Sequence, residues 1–241
     1  MLNLNMQKSL YLIPVPLDEE SSIEANIPND AIALVRELKH FIVENEKTAR
    51  AFLKKYGIIT PQKDLNIIVY NKRDKLPISH YFNFFKEADA VGLMSEAGCP
   101  GVADPGAEIV AEAHKRNILV HPLIGPSSIL LALMSSGFNG QQFCFHGYIP
   151  IDKTDRIKRI KDLEAQSARF RQTQIFIETP FRNNHLFDDI IKSCKPNTQL
   201  CIACNINTKD QIIKTRSIAD WKNHKPELHK LPTVFIIYAQ N

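Results

Sequence analysis

The sequence predicts an α/β protein built in two halves, and three observations lead there. Short apolar runs alternate with amphipathic helical patterns through the first half. Those runs are almost continuously apolar, as expected of parallel strands covered on both faces. Beyond Gly140 longer helices and loosely alternating strands take over, the pattern of an α+β unit with a mixed or antiparallel sheet. The boundary falls near Gly125, giving an N-terminal domain of residues 1–124 and a C-terminal domain of residues 125–241. A chain of 241 residues is long enough for both to bury a core.

The elements follow in order. Residues 10–13 form a first strand, and Pro14-Val15-Pro16 turns the chain. The acidic, polar stretch 17–29 is a loop. Asp30 stands as the N-cap of an amphipathic helix that carries Ile32, Leu34, Val35 and Leu38 on its apolar side. Residues 41–43 are a second strand. A helix over 46–56 turns Ala49, Phe52 and Leu53 inward and ends at Gly57 in the C′ position. Residues 65–70 are a third strand, 78–87 a helix despite their aromatics, and 90–94 a fourth strand. A helix over 106–116, with Ile109, Val110 and Ala113 apolar, leads to a fifth strand at 119–122. Gly125-Pro126-Ser127-Ser128 turns into a helix over 129–136, where Pro126 suits the first turn and the serines can satisfy free amides. The second half holds strands at 142–148, 174–177, 198–205, 211–215 and 233–238. Helices are expected over 153–168 and 181–194.

The fourth strand runs into Ser95-Glu96-Ala97-Gly98-Cys99-Pro100-Gly101-Val102-Ala103-Asp104-Pro105-Gly106. A strand, a tight glycine-rich loop and a helix start are the usual ligand position in an open α/β sheet. Asp104 sits where a carboxylate can cap the following helix. The plainer reading is a well-made turn.

Composition excludes several classes. The net charge of +4 is too small to diagnose a nucleic-acid partner. One short region, however, gathers Lys153, Arg156, Lys158, Arg159, Lys161, Arg169 and Arg171. It is either a solvated helix face or a surface that tracks phosphates. Five cysteines, an odd number, point to free thiols in a reducing compartment. Cys201 and Cys204 fall on opposite faces of a strand and read as buried cysteines, not metal ligands. No His-x-x-x-His pair occurs, so no metal is expected. No apolar run approaches the ~20 residues of a membrane helix. With no signal-peptide pattern in residues 1–9, a soluble cytoplasmic protein is expected. The dinucleotide fingerprint, the P-loop and the Gly-x-Ser-x-Gly elbow are all missing.

Several segments together resemble a known family. Ser95-Glu96-Ala97-Gly98-Cys99-Pro100 followed by Ala103-Asp104-Pro105-Gly106 resembles the Ser-Asp-Ala-Gly-Thr-Pro…Ser-Asp-Pro-Gly signature of the tetrapyrrole methylase superfamily. Within it, the ribosomal RNA small subunit methyltransferase I family is most similar. Leu10 through Pro16, Val43-Glu44-Asn45-Glu46-Lys47 with Tyr56-Gly57-Ile58, Gly125-Pro126-Ser127-Ser128, Phe145 through Pro150, and Ile175 through Arg182 resemble its other motifs, in the same order.

The resemblance implies two α/β domains of tetrapyrrole-methylase type, with a parallel N-terminal sheet, a mixed C-terminal sheet and a cofactor cleft between them. It implies S-adenosylmethionine as cofactor, RNA as partner and a homodimer. The cofactor would be held by Pro16, Ser95, Glu96, Ala97, Gly98, Gly101, Val102, Ser127, Ser128, Tyr148, Glu178 and Thr179. The glycines would allow close backbone approach. Glu44 and Lys47 are the catalytic candidates. Glu44 ends a strand on the sheet edge that bears the loop and could accept a proton or hydrogen bond from an alcohol. A surface or cap acid is the alternative for it.

The chain also departs from the pattern. Asp18-Glu19-Glu20 stands where glycine and asparagine are usual, and Asn45, Glu46 and Lys47 where Asp, Thr and Arg are usual. A neutral Asn45 cannot be a carboxylate base, and Lys47 lacks arginine's planar fork. Residues 69–81 lack the family's His- and Asn-bearing segment. These departures lie on the acceptor side. They keep open a tetrapyrrole or protein side chain as acceptor, or a binding protein that retains S-adenosylmethionine without catalysis.

Overall fold

A computed structural model of the chain describes residues 7–18, 20–70 and 76–239. They fall into two compact units, Met1–Ser127 and Ser128–Asn241.

The first unit is a five-stranded sheet of β1 (Ser9–Ile13), β2 (His40–Val43), β3 (Asn66–Val69), β4 (Ala90–Met94) and β5 (Leu119–Pro122). Its order is β3-β2-β4-β1-β5 and every pair is parallel. Successive side chains alternate between the two faces. Phe41 and Val43 therefore join one cluster with Phe52, Leu53 and Tyr56, while Ile42 joins the other with Phe82, Phe85, Val91 and Ile109. Burial on both faces is the reason the strands read as unbroken apolar runs. The chain leaves β1 toward β2 and β3 on one side, and leaves β4 toward β5 on the other. β1 and β4 are neighbours, so the sheet reverses its winding between them. Their C-terminal ends form a topological switch point, the general ligand crevice of open α/β sheets.

Helices α1 (Asn29–Glu37), α2 (Glu46–Tyr56) and α3 (Ala107–Lys115) connect the strands. Asn45 caps α2, its Oδ1 accepting from the amides of Lys47 at 3.0 Å and Thr48 at 3.2 Å. Gly57, at φ +72°, closes it in the left-handed conformation. Asp30 does not cap α1. Pro28 holds the cap position without a side-chain bond, and Asp30 lies in the first turn, accepting from the adjacent Ala31 amide. Residues 78–86 form a 3-10 helix instead of an α-helix, with His80 N donating to Pro77 O at 2.9 Å. The tighter winding packs Tyr81, Phe82 and Phe85 into the core. Residues 71–75, within the family segment expected at 69–81, lie outside the described residues, as does Glu19.

The second unit has strands β6 (Phe143–Tyr148), β7 (Thr173–Ile177), β8 (Gln199–Cys204), β9 (Ile212–Ser217) and β10 (Thr233–Tyr238). They order as β6-β7-β10-β8-β9. β6 and β7 are parallel and the other pairs antiparallel, so the sheet is mixed. Helices α4 (Ser128–Ser136), α5 (Lys153–Phe170), α6 (Asn183–Ser193) and α7 (Ile218–Trp221) complete it. Ile160 and Leu163 of α5 and Leu186, Phe187 and Ile190 of α6 pack on Phe176, Ile202 and Phe235. The helix expected over 181–194 begins as a 3-10 turn, Pro180–Arg182, before α6. Cys201 and Cys204 are free and buried, and Cys204 alone joins the cluster beneath α5 and α6.

The basic helix α5 is not a uniformly solvated face. Arg156 is buried and pairs with Asp189 Oδ2 at 2.7 Å, while its Nη1 donates to Ile151 O. Arg159 Nη2 lies 2.8 Å from His146 Nδ1. These two arginines are therefore tied inside the unit. Among the described residues no helix is long and apolar enough to cross a membrane.

Candidate active site

At the switch point the exit of β1 and the loop after β4 are fastened by backbone alone. Val15 N donates to Gly98 O at 2.9 Å and Gly98 N to Val15 O at 3.1 Å. Gly98 has φ +68°, which only glycine adopts without strain, so the turn itself requires it. On the other side Gly125 packs so closely that a Cβ would stand 2.3 Å from Pro14 Cβ and Cγ. Cys99 Sγ lies 3.3 Å from Pro126 O. Pro16, buried, thus shares one corner with Ala97, Gly98 and Cys99. Gly101, also at positive φ, and the exposed Val102 continue the loop, and Ala103 holds the left-handed conformation at φ +65°. A non-glycine residue there is strained, a feature that clusters at functional loops.

Carboxylates crowd this corner. Val43 pairs with Met94, so Glu44 emerges beside buried Ser95. The Glu44 carboxylate accepts from the Glu96 amide, while its Oε2 is buried without a hydrogen-bond partner. Burial pushes the Glu44 carboxyl above its ordinary range, and the charges of Asp104 and Glu96 add to the rise. Asp104 is also pushed up, first by burial and further by Glu96, against a hydrogen bond with Ser95. Asp104 is thus turned to Ser95 and leaves the N-cap of α3 to Gly106, which makes no side-chain cap. Glu96 Oε1 accepts from Thr48 Oγ1 at 3.3 Å. Among the described residues no lysine or arginine forms an ion pair with these three carboxylates. No described group of His, Cys, Asp and Glu is arranged to hold a metal ion. Lys47 is exposed in the first turn of α2.

A second group gathers at one end of the other sheet. After a bulge, Tyr148 pairs with Ile177, and its ring is 57% exposed. Glu178 follows β7 and is buried. Its Oε1 accepts from Thr179 N and from Arg182 Nη2, both at 2.6 Å, and its Oε2 is buried with no partner. Ser127 closes the first unit and Ser128 opens the second, both half-buried.

The sequence-predicted residues therefore fall into two groups. Pro16, Glu44, Ser95, Glu96, Ala97 and Gly98 lie at the switch point, and Tyr148, Glu178 and Thr179 at the end of β6 and β7. Sequence reasoning gave no role to Thr48 or to the Arg182 contact. Glu178 and Arg182 are four residues apart but share no α-helix, so helical spacing gave no signal for the second. Asn45, read as a lost acid, works as a helix cap, which an amide serves as well as a carboxylate. Asp18 likewise serves its own turn, accepting from the amides of Glu20 and Ser21.

No family model matches the chain. It is 28% identical over 240 residues to a ribosomal RNA small subunit methyltransferase I of Buchnera aphidicola subsp. Schizaphis graminum, covering 98% of this chain and 80% of that protein. A Thermotoga maritima protein of the same name is 30% identical over 163 residues, covering 67% of this chain and 69% of its own length. Two crystal structures share the fold: diphthine synthase (TM-score 0.65, 15% identity, 96% of this chain and 90% of that one) and the methyltransferase CobJ (TM-score 0.61, 18% identity, 96% and 93%). With the motif order, the two-sheet architecture and these relatives in agreement, the chain belongs to the ribosomal RNA small subunit methyltransferase I family.

Proposed function

We propose that the chain transfers a methyl group from S-adenosylmethionine to small-subunit ribosomal RNA, at a ribose 2′-oxygen. The observation that carries this reading is the uncompensated carboxylate corner at the switch point, with Glu44 Oε2 buried and unpartnered. A buried acceptor left empty is costly and calls for a donor or a positive charge. When bound, S-adenosylmethionine supplies a methyl group activated by a positively charged sulfur. The residues of the first unit fit that group: three carboxylates without a paired cation favour a positive ligand.

In this reading the backbone of residues 97–102, with Pro16, Ser95 and Glu96, holds the cofactor on the first domain. The family resemblance assigns to the cofactor also Ser127, the last residue of the first unit, and Ser128, Tyr148, Glu178 and Thr179 of the second. The residues mainly align donor and acceptor, because proximity supplies much of such a reaction. Glu44 accepts the hydrogen bond, and in the transfer the proton, of the acceptor hydroxyl. Its raised pKa brings it closer to the working range of a general base. Lys47 supplies a point charge beside it for the RNA. The remaining parts of the proposal are a homodimer, a cytoplasmic location and no metal, and they follow the family resemblance.

Calorimetry with S-adenosylmethionine tests the cofactor, and no heat of binding would overturn the reading. Mass spectrometry of ribosomal RNA nucleosides from a strain lacking the gene tests the acceptor. Loss of one 2′-O-methylated nucleotide is expected. A full set of ribose methylations, with a base methylation missing instead, would move the acceptor atom.

A further inference from the structure

Three residues beyond Glu178, Phe181 presents its ring to solvent at 65% exposure. A lone exposed ring is ordinary, but this one is flanked. Lys230 Nζ stands 5.8 Å from the ring centroid, and His229 meets the ring at 6.0 Å and 77°. Both flanking residues come from a loop that the fold ties to the start of α6. Lys230 N donates to Pro180 O at 3.0 Å, Asn183 Nδ2 to Leu231 O at 2.7 Å, and Leu228 N to Asn184 Oδ1 at 2.9 Å. Leu228 itself is fully buried. Lys230 is held at φ +63°, a conformation that side-chain-bearing residues avoid, so the loop keeps its shape at a cost. The loop's own carboxylate, Glu227, is occupied by Asn184 Nδ2 at 2.6 Å and the His229 amide at 2.8 Å. Among the described residues Lys230 forms no ion pair.

We propose that Phe181, Lys230 and His229 form a platform for one unpaired nucleotide of the RNA substrate. The ring stacks on a base, Lys230 takes the neighbouring phosphate, and His229 walls the ring edge. An open aromatic face beside an unpaired cation is the arrangement that single-stranded nucleic acid uses, because every base has a face to stack. A second copy of the chain fits less well. A two-fold contact at this patch sets it against its own image, bringing Lys230 toward Lys230. The proposal rests on the RNA reading above, and it adds where the RNA lies: beside the Glu178 turn, on the second unit alone.

The test uses the full chain and unmodified small-subunit ribosomal RNA made by transcription. RNA affinity is measured at several salt concentrations, S-adenosylmethionine affinity by calorimetry, and mass by light scattering. F181A is expected to weaken RNA binding by roughly 5- to 150-fold, the span of one base stacked on an aromatic side chain. F181W is expected to restore it. K230Q is expected to lower the logarithmic salt slope by about 0.7, one phosphate of a single strand. Affinity for S-adenosylmethionine stays the same in all three variants. If the wild-type chain binds no RNA, the RNA reading falls and the platform with it. If the wild type binds and F181A binds equally well, the platform alone is overturned. A change of mass in F181A without loss of RNA binding assigns the ring to a contact between copies and also overturns it.

Discussion

Glu44 and Glu178 are the same chemical group in opposite surroundings. Each satisfies one oxygen with a backbone amide and leaves the other buried and empty. Around Glu44 stand two more carboxylates and no paired cation, whereas Glu178 is neutralised by Arg182 at 2.6 Å. The first setting favours a positive ligand group. The second favours a neutral donor, such as an amino or hydroxyl group, whose hydrogen bond is strengthened by the charge of the carboxylate.

The largest expected effect breaks the first setting. In E44Q, kcat should fall by about 10²- to 10⁴-fold if Glu44 is the base, while S-adenosylmethionine affinity moves far less. Unchanged turnover removes Glu44 from proton transfer. Next comes a pair that is closed on itself, Arg156 with Asp189. D189A leaves a buried guanidinium unmatched and should cost about 3–5 kcal/mol in urea unfolding. If the surviving folded protein also loses cofactor affinity, the separation of structural from functional pairs fails. E178A should weaken S-adenosylmethionine by roughly 10- to 150-fold, the value of a hydrogen bond to a charged group. Full affinity in that variant would leave Glu178 as a support for Arg182 only.

The smallest effect concerns pH. Burial raises the Asp104 and Glu44 carboxyls above their unfolded values. The folded chain therefore holds these protons longer than the unfolded one. Stability contributed by them is present at acid pH and is lost as pH rises from about 4, the unfolded carboxylate value, through the raised folded values. D104N should flatten that fall and raise the melting temperature of the ligand-free protein at neutral pH by a few degrees, about what 1 kcal/mol or less gives at this size. A pH profile parallel to that of the wild type would show that the corner carries no such strain.

Much of this was legible in the sequence, for identifiable reasons. The bounds of α2, β4, β5 and β10 follow from caps and apolar runs that are strong and local. The 3-10 helix at 78–86 was hidden because aromatics at Tyr81, Phe82 and Phe85 satisfy either helical period. α7 is four residues long, too short for periodicity, and was not expected from the sequence, although Ser217 and Asp220 stand at cap spacing, Ser217 accepting from the Asp220 amide. At the candidate site, the turn after β4 and the position of Glu44 at the end of β2 could be read from the sequence. Partners 33 residues apart could not, so Arg156 read as one more surface charge until Asp189 was seen beside it. Lys230 over Phe181 belongs to the same class of fact.

The Val15–Gly98 bridge has a further consequence. Its two hydrogen bonds use main-chain atoms only, so this tie between the loop and the exit of β1 does not depend on which side chains the loop carries. Cysteine can stand for threonine at position 99 and glutamate for aspartate at position 96 while this tie stays in place. Such a loop is a mounting: lineages can exchange the chemistry displayed on it one residue at a time, provided that position 98 stays glycine.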